Sequence, residues 1–151
     1  MKEKIIGPSI KFQEDFQEGA RRRVQILRTG DYYHRFYGPM DINEEMFDNM
    51  IQNFNDNVLQ TDIMLDYDHN QAEAAAWFIE LFKEPMGDEI GLFGYVNYTD
   101  NGEAAVRSGD WRYTSADFTD NYSSNQDPEV GLGPTLLGCA LTNRPFIKGM
   151  E

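Results

Sequence analysis

The sequence predicts an α+β fold: a mostly antiparallel, bent sheet or small barrel with helices packed outside. Three observations point there. Most patterned segments are short β-type runs that end in Gly, Pro, Asn or Asp. Two of them, Ala76–Lys83 and Gly91–Tyr98, flank Pro85-Met86-Gly87-Asp88 and read as a hairpin. One stretch, around Ile42–Phe54, carries long helical periodicity. A chain of 151 residues is long enough for one core. It divides into an N-terminal arm, residues 1–20, and a single domain, residues 21–151.

Residues 1 to about 20 carry little pattern, and Gly7-Pro8 breaks any element there. Arg23–Arg28 places β-branched residues in near alternation and reads as a strand. Gly30-Asp31 turns it into a second, aromatic strand, Tyr32–Tyr37, ended by Gly38-Pro39. His34 stands among these aromatics with no acid cluster nearby and is expected to be structural or at the surface. The helix opens with Asp41 as N-cap and Glu44 three residues on. It is expected to bury Phe47, Met50, Ile51 and Phe54, to turn Asn43, Glu45, Asp48, Asn49 and Asn53 outward, and to end near Asn55-Asp56-Asn57.

Thr61–His69 is the third strand. Gln71–Ala76, with four alanines in its last five residues, is expected to be helical by propensity. After the hairpin, Asp100-Asn101-Gly102 opens a short helix closed by Gly109. Asp110–Phe118 is a strand with Trp111, Tyr113, Ser115 and Asp117 on one face. Thr119–Gly133 is a long polar loop, expected to be mobile without a substrate. Thr135–Thr142 is the final, apolar strand.

The net charge of −13 argues against a nucleic-acid partner, because phosphate binding needs clustered Lys and Arg. The dense basic run, Arg21-Arg22-Arg23, reads as the solvated edge of the first strand. No apolar run is long enough to span a bilayer, and Met1–Phe16 has no apolar signal-like core, so no membrane partner is expected. The single cysteine, Cys139, cannot form an internal disulfide and fits a reducing cytoplasm. Its apolar neighbours suggest burial, not nucleophilic duty.

Chemistry concentrates in Leu65-Asp66-Tyr67-Asp68-His69-Asn70, after the apolar run Ile63-Met64-Leu65. An exposed polar turn after a strand would look the same. Asp66, Asp68 and Asn70 also fit the start of a calcium loop, but Gln71 stands where glycine is needed and Trp77 where a bidentate Glu is needed. Neither a metal nor a cofactor is expected. The third reading is acid–base chemistry. His69 is suited to take and give a proton near neutral pH, and a serine hydroxyl needs such a base to become a nucleophile. Ser115, on a later strand, is the candidate nucleophile.

In the order of its motifs the chain resembles the phage Mu I-protein-like proteases, distant relatives of tailed-phage prohead proteases and of herpesvirus assemblin. The resemblance runs from about Val24 to Met150. It is carried by Gln25-Ile26-Leu27-Arg28-Thr29-Gly30, the Ile42–Phe54 helix, Leu65–Asn70, Ala75-Ala76-Trp77, Gly91-Leu92-Phe93, Arg112–Phe118 and Ala140–Phe146. No single piece is specific; their number, order and spacing are. The resemblance implies a herpesvirus-protease-like fold and a serine endopeptidase of capsid maturation. It would cleave scaffold protein and itself inside the immature capsid, in the host cytoplasm, with the major capsid protein and further copies of itself as partners.

By the same resemblance His69 is the general base and Ser115 the nucleophile, and backbone N–H groups of Asn143 and Arg144 would form the oxyanion hole. Two positions depart from the pattern: Ala76 replaces a glycine before the tryptophan, and Gly138 falls where relatives carry the third catalytic side chain. Asp66, Asp117 and Asp68 are the substitutes, with a preference for Asp66, and a Ser–His dyad is the further option. The alternative function is a non-catalytic capsid assembly or scaffold module of the same fold.

Overall fold

The computed structural model describes residues 22–34 and 36–144, with the backbone of residues 5–11. Expectations for the rest of residues 1–21, for Arg35 and for the chain from Pro145 onward lie outside the described residues. The elements run β1 (Ile5–Lys11), β2 (Arg22–Arg28), β3 (Gly30–His34), β4 (Gly38–Ile42), α1 (Glu44–Asn55), β5 (Met64–Tyr67), β6 (Ala76–Met86), β7 (Glu89–Tyr98), α2 (Asp100–Arg107), β8 (Tyr113–Thr119) and β9 (Thr135–Thr142). Within the stretch expected as an arm, β1 therefore forms an edge strand, paired antiparallel to β8.

Seven strands form one sheet in the order β1-β8-β9-β5-β6-β7-β2, and β3 and β4 make a separate hairpin. The β5–β9 pair is parallel and the others are antiparallel. The fold is thus α+β with a bent sheet. Its bend brings β2 over β8, where Thr114 Oγ1 donates to the Gln25 carbonyl at 3.0 Å. Among the described residues no pairing joins β1 to β2, so the sheet is open and not a closed barrel. Its inner face supplies Ile26, Leu65, Leu92, Ala116 and Leu141 to one core, which Phe47 and Met50 of α1 complete.

Several boundaries differ from the sequence reading, each for a local reason. Gly30 and Asp31 do not turn the chain but begin β3; the turn lies after His34, whose Nδ1 accepts from the N–H groups of Phe36 (3.1 Å) and Tyr37 (3.3 Å). His34 is structural, 5% exposed. Asp41 pairs with Asp31 in the hairpin, so the N-cap of α1 is Asn43, whose Oδ1 accepts from Met46 N at 3.0 Å. Phe47 and Met50 are buried as expected, while Ile51 and Phe54 are half-buried. Asn53 is not outward: its amide donates to Thr135 Oγ1 at 2.8 Å and ties α1 to β9.

Gln71–Ala76 is not helical. Backbone N–H groups there are taken by local side chains, Gln71 by Asp66 and Ala72 by Asn70, which outcompetes alanine propensity. The basic run is more than a solvated edge. Arg22 is ion-paired to Glu103 of α2 at 3.0 Å, and Arg23 pairs with Glu84 and lies 4.0 Å over the Phe93 ring. The β6–β7 hairpin turns on Gly87-Asp88, with Gly87 at φ 63°, the left-handed value a two-residue turn needs.

Candidate active site

Sheet register sets the site. Ala140 of β9 pairs with Asp66 of the parallel strand β5 on one side and Ser115 of β8 on the other. Directly paired residues share a face, so Asp66, Ala140 and Ser115 form one row across three strands. One pleat along, Asp117 pairs with Gly138 on that face. The small side chain of Ala140 and the bare Cα of Gly138 leave the centre of this surface low, with carboxylates from two strands on either side. It is the face opposite Leu65, Ala116 and Leu141 of the core.

His69 follows β5 in a tight turn. Asn70 N donates to the Tyr67 carbonyl at 3.0 Å, with Asp68 and His69 at φ 53° and 60°. Positive φ at both central positions makes this a type I′ turn, and Asp and His tolerate that region better than most residues. Asp66 braces it: Oδ1 accepts from His69 N at 3.2 Å and Oδ2 from Gln71 N, itself at φ 60°, at 2.8 Å. The strand, the acid two residues before the turn and the turn itself thus place His69 at the mouth of a cleft of about 480 Å³. Asp66, Asp117, Gly138 and Gln71 also line it, and Tyr122 of the long loop closes one side.

The expected residues fall into three groups. His69, Asp66 and Asp117 come together at the cleft. Ser115 shares their face of the sheet but is 3% exposed and lies just beyond the cleft lining. Asp68, Asn143 and Arg144 do not reach it. Asp68 is exposed on the turn. The Asn143 side chain bridges Arg112 N (3.0 Å) and the Asp110 carbonyl, and Arg144 N already donates to Thr142 Oγ1 at 3.2 Å. Three residues past Ala140, Asn143 sits roughly 10 Å along the strand from the Ser115 row.

Cys139 is buried, and desolvation foremost pushes its thiol up to about 12, with the Asp66 and Asp117 charges adding to the effect. It is not a nucleophile at neutral pH. Gly138, which the resemblance placed at the third catalytic position, does line the cleft, whereas Tyr122 was missed from sequence alone. Spacing identifies Ser115 and Asp117 as face-mates, but only cross-strand register shows which residue stands opposite each. Among the described residues no cluster of three or more His, Cys, Asp or Glu is placed to hold a metal ion, and no helix is long and apolar enough to cross a membrane.

By architecture the chain is an α+β protein with a bent, open, mostly antiparallel sheet. Its family follows from comparison: residues 24–151 match the model of the Mu-like prophage I protein, N-terminal domain. The chain belongs to that phage-related family. No curated protein and no solved structure matches it.

Proposed function

We propose that this chain is a serine endopeptidase of phage capsid maturation, with His69 as general base and Ser115 as nucleophile. Scaffold protein and the chain itself are the substrates, inside the immature capsid, with the major capsid protein as the surrounding partner. The observation that carries this reading is the convergence of His69 and two buried carboxylates on one cleft, on the face that bears Ser115. His69 takes the Ser115 proton as Oγ attacks the peptide carbonyl, then delivers it to the leaving amine. Water repeats the sequence on the acyl-enzyme.

The test is cleavage of the cognate scaffold protein by wild type, Ser115→Ala and His69→Gln, followed as fragments on a gel. Both substitutions are expected to reduce cleavage by roughly 10³-fold or more, since members of such a unit fail together. Equal cleavage by wild type and Ser115→Ala would sink the assignment. One observation favours a second reading: Ser115 is 3% exposed. In a non-catalytic assembly module the hydroxyl is a packed polar group, scaffold stays intact with every variant, and the chain acts only by binding.

A further inference from the structure

We propose that Asp117, and not Asp66, is the positioning residue that orients the His69 imidazole; this rests on the Ser115–His69 reading above. The two carboxylates are equally buried, each 5% exposed, and come from different strands. Both oxygens of Asp66 are taken by main-chain N–H groups, Oδ1 by His69 and Oδ2 by Gln71. A carboxylate fixed that way holds the main chain of His69. Asp117 arrives from another strand and lines the cleft together with His69. Asp117 Oδ1 and His69 Nε2 are both shut off from solvent, where a charge acts more strongly than in water. Asp117 is also two residues from Ser115 on one strand, so nucleophile, base and orienting acid lie on one side of the sheet.

Across from Asp117 stands Gly138. A Cβ built there meets nothing nearer than the Met64 carbonyl oxygen at 3.8 Å. The cleft wall therefore has room for a carboxylate from β9 beside the one from β8. Moving the acid from position 117 to position 138 carries it across one strand spacing, roughly 5 Å, which an aspartate side chain from each side can share.

The experiment uses the full chain and variants Asp117→Asn, Asp66→Asn, and Asp117→Asn combined with Gly138→Asp. The first readout is independent of catalysis: the proton NMR signal of an imidazole ring N–H held by a carboxylate, assigned by its loss in His69→Gln. It is expected in wild type and Ser115→Ala, lost in Asp117→Asn, and restored by Gly138→Asp. The second is steady-state scaffold cleavage. Asp117→Asn is expected to lower kcat roughly 10²-fold or more with KM nearly unchanged, and the double variant to recover at least about tenfold of that loss. Should Asp117→Asn fail to fold, Asp117→Ser carries the same readouts. A signal absent from wild type, persisting in Asp117→Asn, or lost only in Asp66→Asn overturns the proposal. If the NMR pattern holds while wild type cleaves nothing, the orienting role of Asp117 stands and the peptidase reading fails.

Discussion

Asp68, His69 and Gln71 hold φ values of 53°, 60° and 60°, a region that residues other than glycine enter at a cost. Three such residues within four positions persist because the Asp66 carboxylate grips two of their N–H groups. Under the function proposed above, this turn fixes the main chain of His69, the proposed base. The core face of β9 yields a pH prediction. Cys139 has its thiol pushed up to about 12 by burial, from an ordinary value of 9.0. The folded state therefore keeps a proton that the unfolded chain gives up. The thiol's contribution to stability is full below pH 9 and is lost as pH rises through 12. Urea unfolding at pH 9 and pH 10 is expected to show wild type losing on the order of 1 kcal/mol more than Cys139→Ala over that unit. Identical slopes would mean that the thiol is already ionised or solvated in the folded protein.

At the scale of elements, α2 is placed by a contact that its sequence conceals. Gly102 looks like a helix-opening residue, but a Cβ there would lie 1.9 Å from the Ala75 carbonyl oxygen. Thr99 caps the helix, its side chain accepting from Gly102 N, while Thr99 N donates to Ala75 O at 2.9 Å. Ala75 N in turn donates to Leu65 O at 2.7 Å, so the segment returning from the His69 turn is clamped between α2 and β5. Gly102→Ala is expected to destabilise by about 1–3 kcal/mol, and Gly138→Ala, whose Cβ meets only an ordinary contact at 3.8 Å, by less than about 0.5 kcal/mol, both read by urea denaturation. What the sequence showed and hid divides on this line. Local patterns survive: β9 spans Thr135–Thr142 as expected, the β6–β7 hairpin forms at its turn residues, and Phe47 and Met50 face inward. Features decided by distant partners do not. Asn53 is polar, yet it points inward because Thr135 is there to receive it. The alanine-rich 72–76 stretch is not helical because Asp66 and Asn70 occupy the N–H groups of Gln71 and Ala72 and β6 begins at Ala76. The site residues were visible as a histidine among acids and a serine on a strand. The parallel β5–β9 pairing that puts Asp66 and Ser115 in one row was not, because nothing local encodes which strands adjoin.

Taken as a whole, the molecule is a bent sheet whose outer face meets one long loop, and that loop is built in two parts. Its base is zipped: Tyr122 N donates to Gly133 O at 3.0 Å, Leu132 N to Tyr122 O at 2.8 Å, and Gly133 N to Asn121 Oδ1 at 3.0 Å. Asn49 of α1 adds bonds to the carbonyls of Leu132 and Pro134, both at 2.9 Å. This base supplies Asn121 and Tyr122 to the cleft and so belongs to the rigid part of the site. The tip, residues 125–131, is exposed throughout, and Val130 is 47% exposed. Opening of Thr119–Gly133 is therefore expected at its tip and not at its base, since local opening is easiest where little apolar surface and few long-range bonds hold the backbone. Glu129 lies in that tip, whereas Glu45, Glu80 and Glu89 sit in a helix or in paired strands. A protease that cuts after glutamate is therefore expected to nick at Glu129 before the glutamates that sit in helices or paired strands among residues 22–144. The two fragments should stay associated and keep the far-ultraviolet signature of the sheet, because the zipped base and β8–β9 pairing hold both sides of the cut. First cleavage at Glu45, Glu80 or Glu89, or loss of the sheet on nicking at Glu129, would show that the tip is part of the packed structure and not a free rim.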